Sequence, residues 1–346
     1  MNDLPLVSVI VLNYNAGELL LNCVESLKNS TYKNLEIIIV DNISSDESHI
    51  KCKEKFPEIK LIQNQENLGY CGGNNVGIKD AKGEFIVILN PDTVVESDWV
   101  DELIDAYDKY GEGLYQPKIL SLNEENVIQS TGNMLHVFGF GFARDKGNIV
   151  SDKKEEIEKI GYASGTCLFT SRKIINKIGL LDEFLFLYHD DLDFGWRAAQ
   201  VGINSYYVPK SKIFHVESYS LKWSSKKFYW LERNRKYCLL THYSKDTYEK
   251  MKFSLMLVDL FVWGFYLSKG FLGAKIKAEF DIRKNQEMIK ERFFELEKRK
   301  TVSDKDLIRN FPDEIFVPVN VSQESMNQTF NSVLARLSKK VKEKIM

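Results

Sequence analysis

Paired cysteines are the first thing this 346-residue chain does without. Cys23, Cys52, Cys71, Cys167 and Cys238 are odd in number, scattered, and never spaced C-x-x-C. That argues against a disulfide framework or a zinc ribbon and points to a reducing compartment. The chain opens Met1-Asn2-Asp3-Leu4-Pro5, with no basic flank and no leading apolar stretch. No secretion signal is therefore expected, and a cytoplasmic location is. No run of about 18 uncharged apolar residues occurs, which argues against a spanning helix. Neither G-x-G-x-x-G nor G-x-x-x-x-G-K-[ST] aligns with its glycine-rich segment, so the dinucleotide and P-loop readings lose support. Internal repeats and low-complexity tracts are absent as well.

What is present is a folded composition, 44% hydrophobic and 12% aromatic, enough to bury a core. The length suits one large domain with an appendage, or two domains. Net charge is only −2, but it is unevenly spread. Residues 1–217 hold 21 Lys+Arg against 33 Asp+Glu, whereas residues 218–300 hold 19 against 10. Such asymmetry points to separate partners for the two segments. A basic segment suits anionic lipid or nucleic acid, and equally a solvated helical surface.

Val7–Leu12 (VSVIVL), Leu35–Val40 (LEIIIV), Ile59–Ile62 and Phe85–Leu89 (FIVIL) are short apolar runs rich in β-branched residues, as buried strands are. Leu19, Leu20, Cys23, Val24 and Leu27 recur at helical spacing, and Trp99–Tyr110 reads as another helix. Alternation of this kind implies right-handed crossovers and a mainly parallel sheet. Residues 123–150 lose a clear period, and their glycines predict loops or a hairpin. Ala163–Phe169 reads as a strand, Lys173–Ile178 as a short helix, Asp190–Val201 as a helix ended by Gly202, and Tyr206–Val208 and Ile213–Phe214 as short strands. Past residue 217 the apolar stretch Phe253–Ser268 is broken by Asp259 and followed by Lys269, Lys275 and Lys277. Two readings of it stand: a helix lying in a membrane interface, or one packed against the main domain.

In open α/β sheets ligands bind beyond the carboxyl ends of the strands. Asn13, Asp41 and Asp92 lie just past such ends and should converge. Asp41 suits a nucleobase N–H or a local turn. Asn67-Leu68-Gly69-Tyr70-Cys71-Gly72-Gly73-Asn74-Asn75-Val76-Gly77 lets backbone approach a ligand and leads into a helix whose start favours phosphate. In Asn90-Pro91-Asp92 the carboxylate suits Mg²⁺ or Mn²⁺, although the tripeptide alone is more often a turn. His189-Asp190-Asp191-Leu192-Asp193 is the densest acidic group. At helical spacing Asp190, Asp193 and Arg197 share a face, leaving Asp191 to turn toward the cleft as a general base. An acidic first turn also complements the helix dipole. His215 suits a metal, or a satisfied core position.

Taken together, residues 6–216 resemble a family 2 glycosyltransferase of the GT-A fold, of the rhamnosyltransferase-like kind. The resemblance rests on V-S-V-I-V-L-N-Y-N, V-D-N-x-S-x-D at Val40–Asp46, N-x-G-Y-x-G-G-N-N-x-G, L-N-P-D at Leu89–Asp92, G-x-L-D-E-x-x-F at Gly179–Phe186, D-D-x-D-x-x-x-R at Asp190–Arg197, and Ile213-Phe214-His215. It implies an inverting, metal-dependent transfer from a nucleotide-diphosphate sugar to a glycan or lipid-linked hydroxyl, in cell-surface polysaccharide synthesis. Asn13, Tyr14, Asn15 and Asp41 would then hold the nucleobase, with Asn67, Gly69, Asn74, Asn75 and Asn90 also on the donor side. Asp92 and His215 would bind Mn²⁺ or Mg²⁺. Asp191 would be the base, and Asp190, Asp193 and Arg197 would shape the acceptor side. The chain departs from the family pattern at Asn90, where Asp is common, and at Asp190, where Glu is common.

The expected organisation is α/β: a GT-A catalytic domain over residues 1–217 and a mostly helical region over 218–346, in peripheral contact with anionic membrane. The alternative is a non-catalytic sugar-nucleotide-binding scaffold. Nucleic acid is not an expected partner, because Trp223, Tyr229, Trp230 and Tyr237 support stacking on single strands only weakly.

Overall fold

The computed structural model describes residues 4–151, 155–216, 224–316 and 324–346. It divides into two compact units. The first comprises Met1–Asn133, Ala143–Ala198 and Ile203–Tyr219, and the second Met134–Phe142, Ala199–Gly202 and Ser220–Met346. The expected boundary between residues 217 and 218, like Trp223, lies outside the described residues.

The first unit opens with the alternation that the apolar runs predict: β1 (Val7–Asn13), α1 (Glu18–Lys28), β2 (Leu35–Asp41), α2 (Ser48–Lys55), β3 (Lys60–Gln63), α3 (Gly69–Asp80) and β4 (Phe85–Leu89). β1 and β4 are buried along their whole length. Strands β3-β2-β1-β4 run parallel, with Asn13 opposite Asp41 at the end of the β1–β2 ladder. Then follow in chain order β5 (Thr93–Val95), α4 (Trp99–Tyr110), β6 (Gly113–Ser121), β7 (Ile128–Ser130), β8 (Asn133–Leu135), β9 (Gly141–Ala143), β10 (Glu158–Ile160), β11 (Cys167–Ser171), α5 (Arg172–Ile178), α6 (Asp190–Gln200) and β12 (Asn204–His215), of which β8 and β9 belong mostly to the second unit. The mostly parallel mixed sheet has the order β10-β12-β6-β11-β4-β1-β2-β3, with β5 on β12 and β7 on β6; β8 and β9 form a separate pair. Leu20, Cys23, Val24 and Leu27 of α1 and Trp99, Val100, Leu103 and Ala106 of α4 cover part of this sheet in one core.

Three features differ from the sequence expectation. Strand β6 went unforeseen because Pro117 and Lys118 interrupt its apolar run. Lys118 is nonetheless buried, its charge matched by Glu155 at 2.6 Å. The two short strands expected at 206–208 and 213–214 are one strand, β12, whose register shifts between Val208 and Lys212. The glycine-rich segment is not a loop leading into a helix; it is the helix α3. Its glycines serve packing. A Cβ at Gly77 would lie 2.4 Å from Cγ2 of Ile10 and 3.1 Å from Cγ2 of Val40, and one at Gly73 would lie 2.4 Å from Cδ1 of Leu12. The helix therefore rests directly on β1 and β2.

Apart from the β8–β9 pair, the second unit is helical: α7 (Ser225–His242), α8 (Lys245–Ser268), α9 (Leu272–Lys284), α10 (Gln286–Arg299), α11 (Asp304–Arg309) and α12 (Glu324–Ile345). Ser224, Ser244 and Ser303 each cap a helix by accepting a hydrogen bond from the amide three residues on, a standard way to satisfy the free first-turn donors. α8 alone, among the described residues, is long and apolar enough to cross a membrane by length and composition, and a third of its most apolar window is buried. It packs against α9 and α12 of its own unit. Its inner face carries Met251, Ser254, Val258, Val262 and Tyr266. Tyr229 and Tyr237 of α7 are buried.

Gly77→Ala tests the packing of α3. Overpacking a close-fitting contact costs typically about 1–3 kcal/mol, so the urea midpoint should fall correspondingly. An unchanged midpoint would mean that α3 stands off the sheet.

Candidate active site

The carboxyl ends of β1 and β2 carry a closed polar network. Asn13 is fully buried, and its amide nitrogen donates to Oδ1 of Asp41 at 2.8 Å, Oγ of Ser48 at 2.9 Å and Oγ of Ser44 at 3.0 Å. Asp41 Oδ2 accepts the Ser44 amide at 3.0 Å, while Oδ1 lies 3.4 Å from Nδ1 of the buried His49. Asn13 and Asp41 thus build the floor and order the loops above it. Tyr14, Asn15 and Ile43 rise from that floor. Tyr14 and Ile43 are exposed, and Asn15 and Ile43 both have left-handed backbones. Positive φ is a real outlier for a β-branched residue, and such strain gathers at functional sites. Nothing in the sequence marks Ile43, because its conformation is imposed by the bonds of its neighbours.

The start of α3 is closed by protein. The Tyr70 and Cys71 amides donate to the Phe186 carbonyl at 2.6 and 3.4 Å, and the Gly69 amide to Oδ1 of Asn67 at 2.8 Å. Gly69 needs its φ of +70° there, and a Cβ would sit 2.5 Å from the Phe186 oxygen. The expected phosphate cradle at this helix start is therefore occupied by a carbonyl that does the same electrostatic job. Asn75 grips the Leu181 backbone, donating to its carbonyl at 2.9 Å and accepting from its amide at 3.0 Å. Asn74 is buried and donates to the Tyr70 carbonyl, but its Oδ1 has no partner.

Asp92 and His215 meet because β5 pairs antiparallel with the end of β12, setting Thr93 opposite His215. The Val216 amide also donates to the Asp92 carbonyl at 3.0 Å. Oδ1 of Asp92 lies 3.3 Å from Nε2 of His215, and both side chains are nearly buried. Neighbouring ligands on an octahedral ion with bonds of about 2.1 Å stand about 3 Å apart, so this pair fits one divalent cation. A nitrogen beside a carboxylate suits Mn²⁺ better than oxygen-seeking Mg²⁺. Asn90, half-buried, fixes the approach to Asp92: its amide donates to the Thr166 carbonyl and its carbonyl accepts from the Thr93 hydroxyl.

The acidic group begins α6 after a strained approach, with Phe186, Tyr188 and His189 all at positive φ. Asp190 is buried, whereas Asp191 is half-buried. Each Asp191 oxygen accepts one backbone amide, Oδ2 from Gly165 at 3.0 Å and Oδ1 from Leu192 at 2.8 Å. Burial pushes Asp191 above the ordinary carboxylate range. Burial and then the Asp191 charge push Asp190 well above it. Asp193 is different, being paired with Arg197 at 2.8 Å with both side chains buried. Arg197 also donates to the Ile178 carbonyl at 2.7 Å, so this pair braces α6 against the end of α5.

A short path of bonds joins the two carboxylate centres. Asn90 bonds to Thr166, its neighbour Gly165 bonds to Asp191, and the Gly165 carbonyl accepts the Tyr70 hydroxyl at 2.5 Å. Asp92, Asp191 and the start of α3 therefore lie along one edge of the sheet. Gly165, Thr166, Ser44 and Ser48 were missed from sequence. For the serines the signal was present in the polar stretch following Asp41.

A model described as Glycosyl transferase family 2 matches residues 8–179. Low-salt glycan biosynthesis hexosyltransferase Agl10 of Haloferax volcanii is 27% identical over 205 residues, 57% of this chain and 63% of that protein. The chain thus spans less than two thirds of this relative. N-acetylglucosaminyl-diphospho-decaprenol L-rhamnosyltransferase of Mycobacterium tuberculosis is 25% identical over 234 residues, 61% of this chain and 76% of that protein. Among solved structures, GalNAc-T7 with UDP, GalNAc and Mn²⁺ superimposes with a TM-score of 0.59 at 17% identity, covering 74% of this chain and 52% of that one. S. aureus TarS 1–349 covers 98% of this chain and 90% of its own, with a TM-score of 0.51 at 17% identity. These likenesses establish the fold.

The raised Asp190 carboxyl has a consequence for stability. A group whose folded pKa lies above its unfolded value favours the fold at low pH and costs stability as pH rises through the raised value. Asp190→Asn should therefore melt higher than wild type at neutral pH, with the gap closing as pH falls toward about 4. Scanning calorimetry across that range checks it, and a pH-independent gap would refute the assignment.

Proposed function

Because residues 8–179 are a glycosyl transferase family 2 domain on a GT-A fold, we propose that this chain moves a sugar from a nucleotide diphosphate to a hydroxyl of a glycan or lipid-linked acceptor. The supporting observation is the bonded path from Asn90 through Thr166 and Gly165 to Asp191, which holds the candidate cation ligand and the candidate base along one edge. Residues 1–217 are the catalytic domain in this reading, and 218–346 a helical appendage. The nucleobase lies over the Asn13–Asp41 floor beside Tyr14 and Asn15.

Asp191 takes the proton of the acceptor hydroxyl as its oxygen bonds to the anomeric carbon. The bond from that carbon to the diphosphate oxygen breaks with its electron pair, and attack opposite the leaving group inverts the centre. A carboxyl raised by burial is a stronger base than an exposed one, and the two backbone amides on Asp191 fix its aim. Asp92 and His215 would hold Mn²⁺ or Mg²⁺, which would supply positive charge to offset that gathering on the diphosphate. Asp193 and Arg197 position α6 and do not touch the reacting atoms. A rhamnosyl donor is the first to test, since the mycobacterial relative is named for L-rhamnosyl transfer.

The second unit we assign to the surface of an anionic bilayer. Phe253, Met256, Leu260, Phe261 and Leu267 form one exposed apolar stripe along α8, and Ile276 and Phe280 are exposed on α9. Lys252, Lys269, Lys277, Arg283 and Lys284 are exposed on the same two helices and the link between them. Apolar residues flanked by lysine suit an interfacial position. Asp259, on the inner side of α8, pairs with Lys275 at 2.7 Å, which favours a helix packed sideways over one that spans.

Asp191→Asn should reduce transfer about 10²–10⁴-fold and leave Mn²⁺-dependent nucleotide binding within twofold, measured by product formation and calorimetry. Wild-type turnover would overturn the base assignment. Retained donor binding with no transfer in either protein would favour the scaffold reading. Separately, Phe253→Glu with Leu260→Glu should abolish co-sedimentation with phosphatidylglycerol vesicles without altering nucleotide binding. Equal sedimentation of the double variant, or a loss of self-association instead, would remove the bilayer assignment.

A further inference from the structure

Beyond the two carboxyl ends already described, one half-buried amide addresses the cation pair from behind. Gln129, in the middle of β7, spans the end of β12 with both ends of its side chain. Its Nε2 donates to the His215 carbonyl at 2.8 Å, and its Oε1 lies 2.7 Å from Nδ1 of the same histidine. The two contacts fix hydrogens that coordinates alone do not show. A backbone carbonyl only accepts, so the NH₂ end of the amide must face it. The Oε1 end is thereby turned to the ring, and since it too only accepts, Nδ1 must carry the hydrogen. A neutral imidazole has one N–H, so Nε2 is left with its lone pair bare. That bare nitrogen is the atom 3.3 Å from Oδ1 of Asp92.

We propose that Gln129 is a positioning residue for the cation site, holding His215 in the tautomer that offers Nε2 to a divalent ion shared with Asp92. The assignment rests on the cation reading of Asp92 and His215, but the tautomer is a property of the metal-free protein and is tested by itself. An outer partner on the second ring nitrogen commonly fixes the orientation of a metal-bound histidine, and losing it typically costs about 10–100-fold in affinity. Here the partner is a neutral amide and not a carboxylate. Of the described side chains Asp92, Asn90, Gln129 and neutral His215, Asp92 is the one with a formal charge. Free cation should bind weakly, and the nucleotide diphosphate should bring the ion with it.

The test uses the full chain. Nitrogen-15 spectra of the metal-free wild type should show the neutral His215 ring protonated at Nδ1 and not at Nε2. Gln129→Leu should lose that preference and weaken Mn²⁺–UDP binding about 10–100-fold, leaving metal-free UDP binding unchanged. Gln129→Glu, which still accepts from Nδ1–H, should keep the tautomer and restore most of the affinity. A wild-type ring protonated at Nε2, or Gln129→Leu with wild-type Mn²⁺–UDP affinity, would overturn the proposal. If His215→Ala itself binds Mn²⁺–UDP as wild type does, the cation reading falls, whereas the tautomer result still stands or falls separately.

Discussion

The site depends on one short strand running against its neighbours. β11 lies antiparallel between β4 and β6, so the loop leading into it arrives where β4 ends. The carbonyl of Thr166 meets the amide of Asn90 there, and Gly165 meets Asp191 and Tyr70. Had β11 run parallel, residues 164–166 would lie at the opposite edge and α6 would have no anchor beside β4. Gly165 also admits no side chain, since a Cβ would stand 2.7 Å from the Tyr70 hydroxyl. Three segments distant in sequence thus meet at the backbone of Gly165 and Thr166, through one main-chain bond to Asn90 and through the Asp191 carboxylate and the Tyr70 hydroxyl.

Electrostatics within α6 sets one carboxylate apart from its two neighbours. Four residues apart, Asp193 and Arg197 neutralise each other in the interior, and breaking a pair of that kind is typically costly because one charge is left buried alone. Asp190 and Asp191 have no such cation and are raised by burial. The helix dipole favours acidic residues in this first turn, which makes two adjacent carboxylates tolerable without cancelling their cost. The approach through three left-handed residues adds further strain. A paired carboxylate braces the helix, and burial without a paired cation leaves the other two raised.

Long apolar runs made half of the fold legible. Phe85–Leu89 and Trp99–Tyr110 have the bounds their patterns imply, because buried strands and amphipathic helices write their periods directly into residue type. β6 was not legible, since Pro117 and Lys118 mimic a break and only the Glu155 partner makes Lys118 bearable inside. Nor was the direction of β11, because local pattern carries no orientation. α3 was mistaken for a loop because helical glycine is locally unfavourable; the close approach to Ile10 and Leu12 overrides that preference. Among the candidate site residues, place at strand ends singled out Asp92 and His215, and the acidic cluster opening α6 singled out Asp191. The Gln129 contacts and the Leu181 grip of Asn75 depend on folding partners that no short motif encodes.

The second unit shows why a charge count alone says little about partners. Lys275 is fully buried within reach of Glu232, Asp259 and Glu279, at 2.5, 2.7 and 2.8 Å. Arg235 and Lys236 join the same network. Such a cluster of carboxylates would resemble a metal site by composition, but the buried ammonium among them takes the place an ion would need. Its three acids and three bases cancel, so the basic excess of residues 218–300 falls wholly on the remaining side chains, most of them exposed. A core that consumes charge in equal amounts leaves Lys252, Lys269, Lys277, Arg283 and Lys284 exposed on the same helices, and the link between them, as the exposed apolar residues of α8 and α9.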